Sequence, residues 1–135
     1  ACSTVLLLEG GKGAKGKKNR QDAYLQVAAS LSFSMMDKEC PHFVAWRSKR
    51  FGEMKRLRVD SEENFYEFIL YMLQDFDKDA GGNGLEEYRE KYSNEVLMHY
   101  LVLKQDLVLC EKETPLKTLD GANPEQSLGE TELIL

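Results

Sequence analysis

Cations and aromatic rings are interleaved twice in the first half of this chain. Lys12, Lys15, Lys17 and Lys18 follow the glycines Gly10 and Gly11, and Tyr24 comes soon after them. Arg47, Lys49, Arg50, Lys55, Arg56 and Arg58 then fall within twelve residues, with Trp46 and Phe51 nearby and Glu53 as the only acid in the run. Lysine and arginine neutralise phosphates, and aromatic faces stack on unpaired bases. Together they supply what single-stranded nucleic-acid binding requires. Like charges on neighbouring strands repel, so the second cluster costs stability unless an anion or an acidic partner offsets it. The competing assignment is structural: Trp46 in a core, and the cations paired with the acidic second half of the chain.

Gly11 to Lys18 reads Gly-Lys-Gly-Ala-Lys-Gly-Lys-Lys. It resembles the P-loop pattern Gly-x₄-Gly-Lys-Ser/Thr up to its last position. That pattern works by cradling phosphate with backbone N–H groups, reaching it with the lysine and holding Mg²⁺ with the hydroxyl. Lys18 stands where the hydroxyl belongs, and the pattern needs a helix directly afterwards, where the alternation described below predicts a strand. A basic glycine loop remains a good contact for a phosphate backbone.

Asp75 to Glu86 resembles the EF-hand calcium loop over twelve residues. Asp75, Asp77, Asp79, the Gly81 carbonyl, Asn83 and Glu86 occupy the positions that supply oxygen ligands. Ala80 replaces the glycine of the sharp turn, and Gly82 replaces the apolar residue that pairs with a second loop. An acidic helix end followed by a glycine linker accounts for the same residues without calcium, so no metal site is assigned.

Cys2, Cys40 and Cys110 are too widely spaced for a disulfide framework, and with His42 and His99 they form no zinc-ligand spacing. This usage fits a reducing, intracellular compartment, cytoplasmic or nuclear. Cys40 and His42 are the one suggestive nucleophile–base pair, and nothing marks that thiol as activated. The apolar run Val5 to Leu8 is far too short to span a bilayer, so a membrane partner is not expected. The formal net charge of −5 conceals a split: residues 1–60 carry 12 cations and 6 acids, and the remainder 6 and 17. This asymmetry bears on partners.

The elements that must position these groups follow from periodicity. A chain of 135 residues holds one domain. Ser3 to Glu9 reads as a buried strand. Leu25, Val27, Ala29, Leu31, Phe33 and Met35 alternate with polar or small residues and predict a second strand; a helix with Tyr24, Val27, Ala28, Leu31 and Met35 inward would leave Leu25 and Phe33 off the apolar face. His42 to Arg50 and Met54 to Val59 predict a hairpin around Phe51-Gly52-Glu53. Phe65, Phe68, Ile69, Met72, Leu73 and Phe76 mark an amphipathic helix over 61–77, capped by Asp60 or Ser61. A second helical segment begins near Leu85 and is a candidate for homodimer contacts. Residues 101–109 fit either more helix or a hairpin, and 116–135 read as an acidic tail.

The expected fold is therefore α+β: an antiparallel sheet of about four strands over residues 3–60, covered by the helix 61–77, forming one domain over 1–115. This element order resembles the small Whirly- and PUR-type domains, which bind single-stranded DNA or RNA. The leading functional expectation is a non-enzymatic nucleic-acid-binding protein, single-stranded DNA or RNA, with little sequence specificity. Lys12, Lys15, Lys17, Lys18, Arg47, Lys49, Arg50, Arg56 and Arg58 would contact phosphates, while Trp46 and Tyr24 would stack on bases. On this reading, charge reversal at Arg56 and Arg58 weakens binding and leaves the fold intact. The alternative is a protein-interaction module (an inhibitor, adaptor or assembly factor) acting through Glu62, Glu63, Asp75, Asp77, Asp79, Glu86 and Glu87. No catalytic residues and no cofactor are assigned.

Overall fold

The computed structural model describes residues 2–11 and 18–120, with side chains from 21 onward in the second stretch. In chain order the elements are β1 (Thr4–Leu8), α1 (Lys18–Asp37), β2 (His42–Arg47), β3 (Met54–Val59), α2 (Glu62–Asp75), α3 (Gly84–Lys91), β4 (His99–Leu103), β5 (Val108–Glu111) and β6 (Thr114–Thr118). The class is α+β, and the six strands form one mixed sheet ordered β3-β2-β1-β4-β5-β6. β1 lies near the middle, parallel to β2 on one side and to β4 on the other. The remaining pairings are antiparallel.

Two parts of the sequence expectation are corrected by this arrangement. The sheet has six strands rather than about four, and its central pairings are parallel. Residues 24–36 are helical, because adjacent parallel strands need a crossover of a dozen residues or more, and α1 supplies it between β1 and β2. The helical set Tyr24, Val27, Ala28, Leu31 and Met35 is buried, while Leu25 and Phe33 lie toward the edge of that face. A helix as the next described element after β1 also departs from the expected order of strands first and covering helix afterwards. The predicted hairpin and the helix over 61–77 are present, with Ser61 as N-cap accepting from the Asn64 N–H. Residues 101–109 resolve into the hairpin β4–β5. β6 carries the sheet through Thr118 and Leu119 is buried, so the ordered fold extends past residue 115; residues 121–135 of the expected tail lie outside the described residues.

Alternation sends the sheet's side chains to two cores. Leu6, Leu8, Val44, Trp46, Leu101, Leu103 and Leu109 meet α1 and α2 on one face. Val5, Leu7, Ala45, Met54, Tyr100 and Val102 meet Leu85 and Tyr88 of α3 on the other. β1 is thus apolar on both sides, as a strand buried from two directions must be. α3 spends its apolar side within the chain, packed on the sheet.

One polar pair is sealed inside the first core. His42 is fully buried; its Nδ1 lies 2.9 Å from the Cys40 carbonyl and its Nε2 2.8 Å from Ser32 Oγ. A carbonyl only accepts, so Nδ1 carries the proton and Nε2 accepts from the serine hydroxyl. Burial lowers the His42 pKa, with the Cys40 contact opposing it. The unfolded chain therefore binds this proton more readily than the native one. The thermal midpoint should hold steady above about pH 6.5 and fall as pH is lowered from there toward the native pKa. Melting curves between about pH 7.5 and 5.5 check this, and His42→Gln should remove most of that slope. Equal slopes in both proteins would contradict it.

Candidate nucleic-acid interface

The basic glycine segment leaves the sheet at the C-terminal end of β1. The Glu9 N–H donates to the Leu103 carbonyl at 3.2 Å and to Tyr24 Oη at 3.0 Å, and Tyr24 Oη itself donates to the Leu103 carbonyl at 2.6 Å. The Gly11 N–H donates to the Lys78 carbonyl at 2.8 Å. A Cβ on Gly10 would sit 2.5 Å from the Asp77 carbonyl oxygen and 2.9 Å from that of Lys78, so only glycine permits this approach. Gln105 Nε2 donates to the Glu9 carbonyl, and Gln21 Nε2 donates to Gln105 Oε1, each at 2.9 Å. These bonds fix both ends of the connection between β1 and α1. Burial raises the Glu9 carboxyl pKa, and Lys104 counters it.

Lys12, Lys15 and Lys17 lie outside the described residues; Lys18 opens α1, with its side chain outside them as well. The strand-before and helix-after order of the phosphate-loop pattern is in place, although the sequence reading predicted a strand. Lys18 still occupies the position of the pattern's hydroxyl.

The two rings assigned to stacking are in the core. Tyr24 is fully buried, and its ring stacks on Phe76 with centroids 5.7 Å apart. Trp46 is 3% exposed and donates Nε1 to Asp75 Oδ2 at 2.8 Å. Neither presents a face to a base. Phe51 does, at the tip of the β2–β3 hairpin, 62% exposed, with Lys55 Nζ 4.7 Å and the Arg50 guanidinium 5.4 Å from its ring centroid. Its place in a three-residue turn between two strands was the available signal, because a turn tip has no layer above it to bury a ring.

The hairpin cations divide into two groups. Arg56 donates to both carboxylate oxygens of Glu95, at 2.6 and 2.8 Å, and to Tyr88 Oη at 3.1 Å. Its guanidinium lies 4.0 Å from the Phe43 ring centroid and 3.9 Å from that of Tyr92. The Glu95 contact raises the Arg56 pKa, and Arg56 correspondingly lowers that of Glu95. Arg47 pairs with Glu87, Arg58 with Asp60 and Lys55 with Glu53. Charge reversal at Arg56 would therefore disturb packing, contrary to the sequence expectation. Lys49 and Arg50 are exposed at the turn and make no ion pair among the described residues. Lys49 lines a cleft of about 600 Å³ together with Asp22 of α1, Met72 and Leu73 of α2, and Asp77, Lys78 and Asp79 beyond it.

Asp75 holds this tip. Its Oδ1 accepts from Ser48 Oγ at 2.9 Å and from the Arg50 N–H at 3.0 Å, while Oδ2 takes the Trp46 indole. The Lys49 N–H donates to the Asp75 carbonyl at 2.7 Å, and Ser48 Oγ accepts from the Phe51 N–H at 3.0 Å. Burial pushes the Asp75 carboxyl up, but the Trp46, Arg50 and Ser48 donors outweigh it and hold the pKa below the usual value. Asp77 Oδ1 accepts from the Asp79 N–H, and Asn83 caps α3 by accepting from the Glu86 N–H. The acids of the calcium-loop resemblance thus organise the chain locally; among the described residues no cluster of three His, Cys, Asp or Glu side chains is disposed to hold a metal. Nor is any described helix long and apolar enough to cross a membrane. No family model, curated protein or solved structure gives a significant match to this chain.

Proposed function

We propose that this protein binds single-stranded nucleic acid, without catalysis and with little sequence specificity, along the edge formed by the hairpin tip and the start of α1. The carrying observation is the exposed Phe51 ring flanked by Arg50 and Lys55, beside a cleft that Lys49 shares with the first turns of α1. The lysines of residues 12–18 enter the chain where that helix begins. Phe51 takes the stacking role first given to Trp46 and Tyr24. Lys49 and Arg50 supply phosphate contacts, and Arg47, Arg56 and Arg58 act through the fold. No base edge is read, so affinity follows the phosphate charge. The non-catalytic part of the reading is supported by Ser32 and His42 being sealed in the core. Phe51→Ala should weaken binding of a labelled single-stranded oligonucleotide about tenfold, the worth of one stacked base, with no change in melting temperature. Undiminished affinity would remove Phe51 from the interface.

A protein-interaction role has its own supporting observation. Tyr66, Leu70 and Leu73 form an exposed stripe on α2 beside Glu63 and Glu67. Within the acidic set first assigned to it, however, Asp75 is buried and Glu87 is paired with Arg47. Under that reading, substitutions at the hairpin tip leave activity intact.

A further inference from the structure

Two of the three cysteines lie just before the N-terminal ends of the neighbouring strands β1 and β2. The parallel register pairs Val5 with Phe43, Leu6 with Val44 and Leu7 with Ala45. The same offset, carried back from Val5 and Phe43, sets Cys2 beside Cys40. Both cysteines precede the strands proper, and Cys40 packs against the cluster of Leu6 and Val44. The backbone is tied on each side: the Ser3 carbonyl accepts from the Met98 and His99 N–H groups, and the Cys40 N–H donates to the Met35 carbonyl. Both thiols are free and half-buried, whereas Cys110 is buried. Each Sγ makes only a long contact to a nearby carbonyl, Cys2 to Thr4 at 3.8 Å and Cys40 to Pro41 at 3.9 Å. Burial raises the Cys2 pKa and Cys40 adds to that rise, while the Thr4 carbonyl contact and the charges of Arg58 and Arg56 oppose it. Adjacent strands run about 4.8 Å apart, within the Cα separation that a disulfide bridges.

We propose that Cys2 and Cys40 are a reversible oxidation site, closed to an intramolecular disulfide by low-molecular-weight disulfides of the glutathione class. One cysteine thiolate attacks a sulfur of the small disulfide, forming a mixed disulfide and releasing one thiol. The second cysteine then attacks the protein-bound sulfur, closing the internal bond and releasing the second thiol. Two protein thiols are oxidised, one small disulfide is reduced to two thiols, and the two cysteine protons pass to the released thiolates. The bond encloses residues 3–39 and pins the α1–β2 turn to β1, at the end of that strand away from Gly10. It is therefore independent of the nucleic-acid reading.

The full chain, reduced and then incubated with oxidised glutathione, should lose about 2 Da, two hydrogens, without chain-to-chain linkage. Peptide mapping should join Cys2 to Cys40, and the thermal midpoint should rise by about 5–10 °C. Cys110→Ser should behave identically, while Cys40→Ser should retain a glutathione adduct on Cys2. Separate adducts on Cys2 and Cys40 of the unaltered chain, or linkage between chains, would overturn the proposal.

Discussion

Replacing Asp75 with alanine is expected to lower the thermal midpoint by about 10–15 °C, the equivalent of about 3–5 kcal/mol for a domain of this size. The carboxylate is 8% exposed and accepts from three donors, on Trp46, Ser48 and Arg50. Removing it leaves the Trp46 N–H buried without an acceptor and releases the turn that carries Lys49, Arg50 and Phe51. Asp75→Asn should fall between, because its amide keeps one oxygen and turns an NH₂ toward groups that donate. The lowered Asp75 pKa sets the pH dependence: its contribution is complete above the unfolded carboxyl pKa of about 4 and is lost as pH falls through the native value. Calorimetric melting with Trp46 emission followed in parallel measures both effects. A midpoint within about 2 °C of the unaltered protein would show that Asp75 does not hold the tip.

The second large effect concerns binding. Joint replacement of Lys12, Lys15, Lys17 and Lys18 by glutamate should weaken single-stranded DNA binding by roughly a hundredfold or more, since four phosphate contacts become repulsions. A melting curve recorded on the same variant separates a loss of affinity from a loss of fold. Arg56→Gln supplies the contrast. It breaks the bidentate Glu95 pair and the Phe43–Tyr92 sandwich, with an expected stability loss of about 2 kcal/mol and affinity of the folded protein within about twofold. Fluorescence anisotropy and melting curves on the two variants separate the roles. Equal losses of affinity would return Arg56 to the interface and undo the division of the hairpin cations.

Sequence and structure agree where one local pattern faced no competitor. The spacing from Phe65 to Phe76 fits a helix alone, and Ser61 caps it as its residue type suggests. The β2–β3 hairpin was equally legible from its apolar runs and glycine turn. Residues 24–36 were not, because Leu25 and Phe33 also satisfy a strand's parity and Ser32 looked solvent-facing. Its burial depends on His42, a contact that no window confined to those residues can contain. The same limit applied to the candidate site. Trp46 sat among cations in the sequence, yet its hydrogen-bond partner is 29 positions away in Asp75. Arg56 looked available for phosphate until Glu95, 39 positions on, closed over it. Charge composition announced the basic clusters; long-range pairing decided which cations remain open to a ligand.

The central proposal is that a small set of cations binds phosphate: Lys12, Lys15, Lys17, Lys18, Lys49 and Arg50. The most direct test is the affinity for a labelled single-stranded oligonucleotide as a function of salt. Six contacts predict that log K falls against log salt with a slope near −4, about −0.7 for each contact. A slope near zero, or no binding at roughly 50 mM salt, would contradict the account.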